Sequence, residues 1–233
     1  MAQKNLKLKR NIGIAIGLII VLIVAAATSV YLMGGGSISI NLTPIDFSIS
    51  ISSSSGTVIQ GNSIQSSVFI KYLGGSNVNV ALSGDAGSSG IQCSLDPATK
   101  IPDFTSTLTM SVPDSTPTKT YSVIVTATGG GTTHTVSYTV SVLSAQVYVS
   151  GTVTTTGFAT HPTQIQFVDQ QTGLTYTGSM PGDSYSLTLQ NQHTYNVVCY
   201  WGGLLGSSGT FNGGSLYVNV GVGYTSMSQD FSG

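Results

Sequence analysis

Three His, eight Asp and two Cys, set among many Ser, are the side chains of this 233-residue chain best able to do chemistry. A serine nucleophile usually sits on a tight, Gly-flanked turn with a His and an acid elsewhere, and no G-x-S-x-G occurs here. His134, His161 and His193 lack the close, regular spacing of metal ligands, and no D-x-D-x-D-G loop offers calcium a cage. They are predicted to be surface or turn histidines. Asp169, before Gln170-Gln171-Thr172-Gly173, and Asp183, after Pro181-Gly182, suit turns in which a carboxylate accepts from nearby backbone N–H groups. No catalytic, cofactor-binding or metal-binding residue is assigned, no cofactor is expected, and the chain is expected not to be an enzyme.

Cys93 alternates with Ile91 and Leu95, and Cys199 with Tyr195, Val197 and Trp201, so strand parity points each thiol into a core. Two residues in separate cores cannot reach the ~5.5 Å between Cα atoms that a disulfide needs. Two buried free thiols are therefore predicted. An isopeptide cross-link needs a Lys beside an Asn and a buried acid. The region from residue 145 onward has no Lys, and the strand-like stretch 132–143 has no Asn.

These groups must be positioned by β-structure. From Gly34 onward no window has helical periodicity, whereas period-2 alternation recurs about every ten residues between Gly, Ser, Asn and Pro clusters, the pattern of sandwiches. Ile45, Phe47, Ile49 and Ile51 share one face of a strand. So do Tyr121, Val123 and Val125, and again Val136, Tyr138, Val140 and Val142. Upstream, Ile12 to Met33 is an uncharged, mostly apolar run of 22 residues that as a helix would rise ~33 Å and span a bilayer. Lys4, Lys7, Lys9 and Arg10 precede it, so the positive-inside bias sends everything after Met33 outside. Two fates are open for this segment: removal at the small-residue site Ala25-Ala26-Ala27, as in a signal peptide, or retention as a membrane anchor prolonged by Val30 to Met33.

The expected organisation is all-β: an N-terminal hydrophobic helix followed by two tandem Ig-like β-sandwiches. Residues 1–33 are the signal peptide or anchor, 34–44 a linker, 45–144 the first sandwich and 145–233 the second. Beyond residue 33 there are three Lys against eight Asp and no Glu, a formal −5. Nucleic acid is excluded as a partner, because phosphate binding needs a basic face. So few titratable groups keep self-repulsion weak in acid. That suits either an acidic habitat or a Ser/Thr/Gly-rich surface module that is simply low in charge.

The stretch from Ile45 to Leu143 resembles Ig-like modules of prokaryotic surface proteins. The resemblance rests on "DFSISISSSSGTVIQGNS", "STLTMSV" and "TPTKTYSVIVTATGGGTTHTVSYTVSV". From Gln146 onward the chain resembles the carboxypeptidase regulatory or prealbumin-like sandwich, through "VSGTV", "IQFVDQQTG", "DSYSLTL", "HTYNVV" and the terminal "SQDF". That second resemblance implies that Tyr185 and Tyr195 flank a hairpin and point into the core, on adjacent strands with Leu187 and Val197. Neither family brings a catalytic residue. The two-domain plan, low charge and secretion segment together resemble the subunits of archaeal surface filaments known as threads, a pilus-like assembly of sandwich domains linked by strand exchange.

Ser37 to Leu42 is the segment such exchange would use. Ile38, Ile40 and Leu42 alternate with Ser37, Ser39 and Asn41, giving one apolar and one small polar face. Gly34-Gly35-Gly36 and Thr43-Pro44 flank it and would let it swing clear of its own domain, where it could complete a sheet edge in a second copy. The rival account makes it an edge strand of its own sandwich or a plain tether. Asn41-Leu42-Thr43 is the single N-x-S/T glycan acceptor of the chain. Three functions therefore compete: a filament or surface-layer subunit forming a homo-polymer, a membrane-anchored adhesion or carbohydrate-binding protein, and an accessory subunit of a secreted enzyme. All three are extracellular. Carbohydrate modules usually present exposed aromatics on a sheet face, and Trp201, the one Trp, has core parity with Cys199.

Overall fold

The computed structural model describes residues 29–32, 36–39, 43–155, 161–202 and 208–233. They form an all-β protein of tandem sandwiches, each around its own apolar cluster. Among them no helix is long and apolar enough to cross a membrane, and residues 12–28 of the expected span lie outside them. The end of that span departs from expectation. Ser29–Leu32 (β1) is a strand, not the last turn of a helix, and it pairs antiparallel with Gly36–Ser39 (β2). Val30 is β-branched and Tyr31 aromatic, residue types that favour strand over helix continuation.

The first sandwich holds Asp46–Ile51 (β3), Ser55–Ile59 (β4), Ser63–Gly74 (β5), Val80–Asp85 (β6), Gln92–Asp96 (β7), Thr99–Lys100 (β8), Phe104–Ser111 (β9), Thr120–Gly129 (β10) and Thr132–Leu143 (β11). One sheet runs β3-β5-β9-β7 and the other β4-β11-β10-β6-β8. β3 and β4 are one passage of chain divided between the two sheets: β3 pairs antiparallel with β5, and β4 pairs parallel with β11. Serines make the crossing possible. Ser52 Oγ accepts from Ser67 N–H (3.1 Å), and Ser54 O accepts from Thr139 N–H (2.8 Å), so backbone groups freed at the switch stay bonded. The alternating faces meet as expected, with Ile45, Phe47, Val123, Val125, Tyr138, Val140 and Val142 buried in one core.

The second sandwich holds Gln146–Thr154 (β12), Pro162–Asp169 (β13), Thr175–Ser179 (β14), Ser184–Gln190 (β15), His193–Gly202 (β16), Ser208–Val218 (β17), Ser226–Ser228 (β18) and Phe231–Ser232 (β19). One sheet runs β14-β13-β16-β17; the other runs β15-β12-β18, with β19 continuing on β12. The C-terminal strands run parallel to β12, and Gly151 lets them approach: a Cβ there would stand 1.7 Å from Gln229 O.

Tyr185 and Tyr195 are buried as expected, and Val197 with them, while Leu187 is half-buried against the same core. Their strands, however, are not neighbours. β15 pairs with β12 and β16 with β13 and β17, so the Asn191-Gln192 connection arches from one sheet to the other instead of closing a hairpin. The arch is made by Gln192, whose φ of 61° lies in the left-handed region, and by Asn191, which is 1% exposed. Asn191 Nδ2 donates to Ser144 O (2.9 Å), and its Oδ1 accepts from Gln192 N–H (3.0 Å) and Val220 N–H (3.1 Å). Two inward faces with period 2 bury equally well side by side or face to face. The buried amide selects the second.

The same amide holds the junction. Ser144 O is tied to Asn191, while Ala145 N–H donates to Gln60 Oε1 (3.1 Å) of the first sandwich. The two linking residues are thus gripped from both sides.

Candidate functional site

The candidate donor strand is in part a strand. Ile38 lies in β2 opposite Val30, while Ile40, Asn41 and Leu42 lie outside the described residues. Of greater consequence is where β2 does not pair: among the described residues, its two-stranded sheet with β1 joins neither sandwich. Thr43 is bonded to the first sandwich: its carbonyl accepts from Ser76 N–H (3.1 Å) and Ser76 Oγ (2.6 Å).

An open sheet edge is the natural counterpart of such a segment. β17 is the longest edge strand among the described residues, with 11 residues, no charge and no Pro. Lys, Pro and brevity are the usual protections of an edge, and β17 has none of them. Its protection is a bulge. The register with β16 slips between Val197 and Val198, where Gly214 takes a φ of +86°, and this twists the strand at its middle. Phe211 on its inward side is half-buried and Leu216 and Val218 are buried, so apolar groups lie directly beneath the free edge.

Asp169 is placed as turn chemistry requires, whereas the Asp183 carboxylate meets a histidine and His134 lies within β11, not on a surface turn. Asp169 is fully buried; its Oδ1 accepts from Gln171 N–H (2.8 Å) and Thr172 N–H (3.3 Å), and its Oδ2 lies 2.8 Å from His193 Nδ1. Burial pushes this carboxyl up, but the bonds from His193, Gln171 and Thr172 outweigh it and hold the group below its ordinary value. Asp183 is exposed and lies 2.7 Å from His161 Nδ1. His134 packs edge-on against Phe47, with ring centroids 5.0 Å apart, and its Nε2 is buried without a partner. Among the described residues no three His, Cys, Asp or Glu side chains converge as a metal site.

Both cysteines are free. Cys199 is fully buried, and burial pushes its thiol up to about 11. Cys93 points into the first core as parity predicts but is only half-buried, a correction to the expected burial, because β7 is an edge strand. Burial and, after it, the charge of Asp85 raise its thiol as well. Trp201 is half-buried, lying close over Gly209.

No protein-family model and no curated protein matches the chain. Solved structures with a similar run of strands include domains 4 and 5 of the S-layer protein SbsC, at 16% identity over 48% of this chain with a TM-score of 0.33. The match spans 61% of that chain. Domains 1–6 of the same surface layer protein match at 13% identity over 75% of this chain and 26% of that one, with a TM-score of 0.34. The titin domains z1z2 in complex with telethonin match at 14% identity over 81% and 98% of the two chains, with a TM-score of 0.30. Overlap this low carries nothing about role.

Proposed function

We propose that this chain is a structural protein of the cell surface, a filament subunit assembled by strand exchange. The observation that carries the reading is the position of β2, which among the described residues pairs with β1 and with no strand of either sandwich. An isolated two-stranded sheet is marginal in water, so its apolar residues gain most by docking elsewhere. Ile38, Ile40 and Leu42 supply the donated face. The free edge of β17 is the acceptor, where a partner's backbone would bond the unpaired N–H and C=O groups and its apolar side chains would cover Phe211 and Leu216. Donor and acceptor lie at opposite ends of the sequence. One contact repeated head to tail does not close, and it yields a fibre.

The N-terminal segment supports export, with four cations before an apolar run and only three Lys after it. The gripped junction at Ser144-Ala145 suits a subunit that transmits tension along its length. Replacing Ile38 and Ile40 with Asp tests the reading by negative-stain microscopy of the secreted protein. The expected outcome is folded monomers that no longer polymerise; filaments that persist in the double variant would refute it.

A further inference from the structure

The outer face of the β15-β12-β18 sheet carries hydroxyls in register. Ser150 stands between Ser186 and Ser228, and Thr152 stands opposite Ser184. Tyr148 closes one end of this row, paired with Thr188 and Ser226 and 49% exposed. Asp230 closes the other: its Oδ1 accepts from the Thr152 N–H (2.7 Å) and the Thr152 hydroxyl (2.9 Å), leaving its second oxygen for a ligand. With Ser179 and Pro181 along one side, these residues other than Thr188 and Ser226 line an open depression of about 460 Å³. From Tyr148 to Thr152 is ~13 Å along the strand, about the length of two joined sugar rings.

We propose that this depression binds a neutral saccharide of about two rings. A ring of C–H groups can lie against Tyr148, and vicinal hydroxyls can donate to the Asp230 carboxylate and exchange bonds with the serines. The residues lining the depression include no Lys or Arg, which disfavours an anion, and only one carboxylate, which is too few for a divalent cation. The site is also built, not incidental. Asp230 reaches it only because the C-terminal strands lie against Gly151, and Thr152 then fixes the carboxylate from two directions. Those bonds hold the carboxyl below its ordinary value, so it remains an acceptor in mild acid. Nothing in this assignment requires the chain to polymerise.

Saturation-transfer NMR on the full secreted chain with cellobiose, maltose and N,N′-diacetylchitobiose, each at ~10 mM to reveal weak affinities, tests it. At least one sugar should receive saturation. Tyr148→Ala should abolish the transfer, and Asp230→Asn should weaken binding about fivefold, the loss of one good hydrogen bond. Ser186→Lys, which fills the floor without touching Tyr148, should abolish it too and guards against a folding defect in the first variant. Tyr217→Ala, on the other sheet, should leave it unchanged. Absence of transfer from all three sugars, or transfer that survives both Tyr148→Ala and Ser186→Lys, overturns the proposal.

Discussion

The two sandwiches stabilise similar architectures by different means. In the first, Phe47, Phe104 and Tyr138 are dispersed among Val, Ile, Leu and Met, and two buried hydroxyls, Ser106 Oγ and Thr116 Oγ1, have no partner. In the second, rings converge: Phe167 lies 5.7 Å from Tyr185, 6.0 Å from Phe231 and 6.3 Å from Tyr195 between centroids. The polar tips of this cluster are bonded to backbone. Tyr185 Oη donates to Gln229 O (2.6 Å), and Tyr195 Oη accepts from Gln190 N–H (2.8 Å). Asp169 and Asn191 are buried and bonded as well. The first core therefore rests on aliphatic packing, and the second on rings joined to a polar network. Mutations should separate the two.

The largest difference is expected at Tyr195. Its truncation to Ala removes a fully buried ring and should cost ~3–5 kcal/mol, lowering a second-sandwich transition in calorimetry while leaving the first in place. A loss below ~1 kcal/mol would show that the ring cluster carries little of the core. Next is Asn191→Ala, which leaves Ser144 O and Val220 N–H without their partner and should cost ~2–3 kcal/mol by urea melt. The first sandwich should respond in the opposite sense to a polar deletion. Ser106→Ala removes a buried hydroxyl without a partner and should stabilise by ~1 kcal/mol; destabilisation would mean that the hydroxyl is bonded after all.

In acid the contrast takes another form. Asp169 has a lowered folded-state pKa, so its stabilisation is fully present above the ordinary Asp value near ~4 and is lost as pH falls through the lowered one. Melts from pH 6 to pH 2 should show a falling second transition that Asp169→Asn, already without this carboxylate, follows much less. The smallest effect is chemical. Cys93, half-buried on an edge strand, should alkylate in the native protein well before Cys199, whose buried thiol is pushed up to about 11. Equal rates by mass spectrometry would contradict the burial difference.

The same comparison explains what could be read from sequence. Strand faces were legible in both halves, because alternation at Ile45, Phe47, Val123 and Tyr138 or at Tyr185, Tyr195 and Val197 records burial directly. Connectivity was less so. Alternation is the same whether β15 and β16 pair in one sheet or face each other across the core, and only the buried bonds of Asn191 distinguish the arch. The turn role of Asp169 was legible from its neighbours, but its pairing with His193 joins residues 24 apart. Asp230 and Thr152 are 78 residues apart, and nothing local indicates that the C-terminal strands return to β12. In the N-terminal segment, hydropathy favours helix through Met33, and it carries no record of the pairing between Ser29–Leu32 and Gly36–Ser39.

Hydrogen exchange on the assembled protein and on dissociated monomers, read at Ser208–Val218 and at residues 36–42, tests strand exchange most directly. The account predicts that alternate amides along the free edge of β17, with those of the donor segment, exchange fast in monomers and slow together on assembly. An assembled form whose β17 edge exchanges as fast as in the monomer would contradict it.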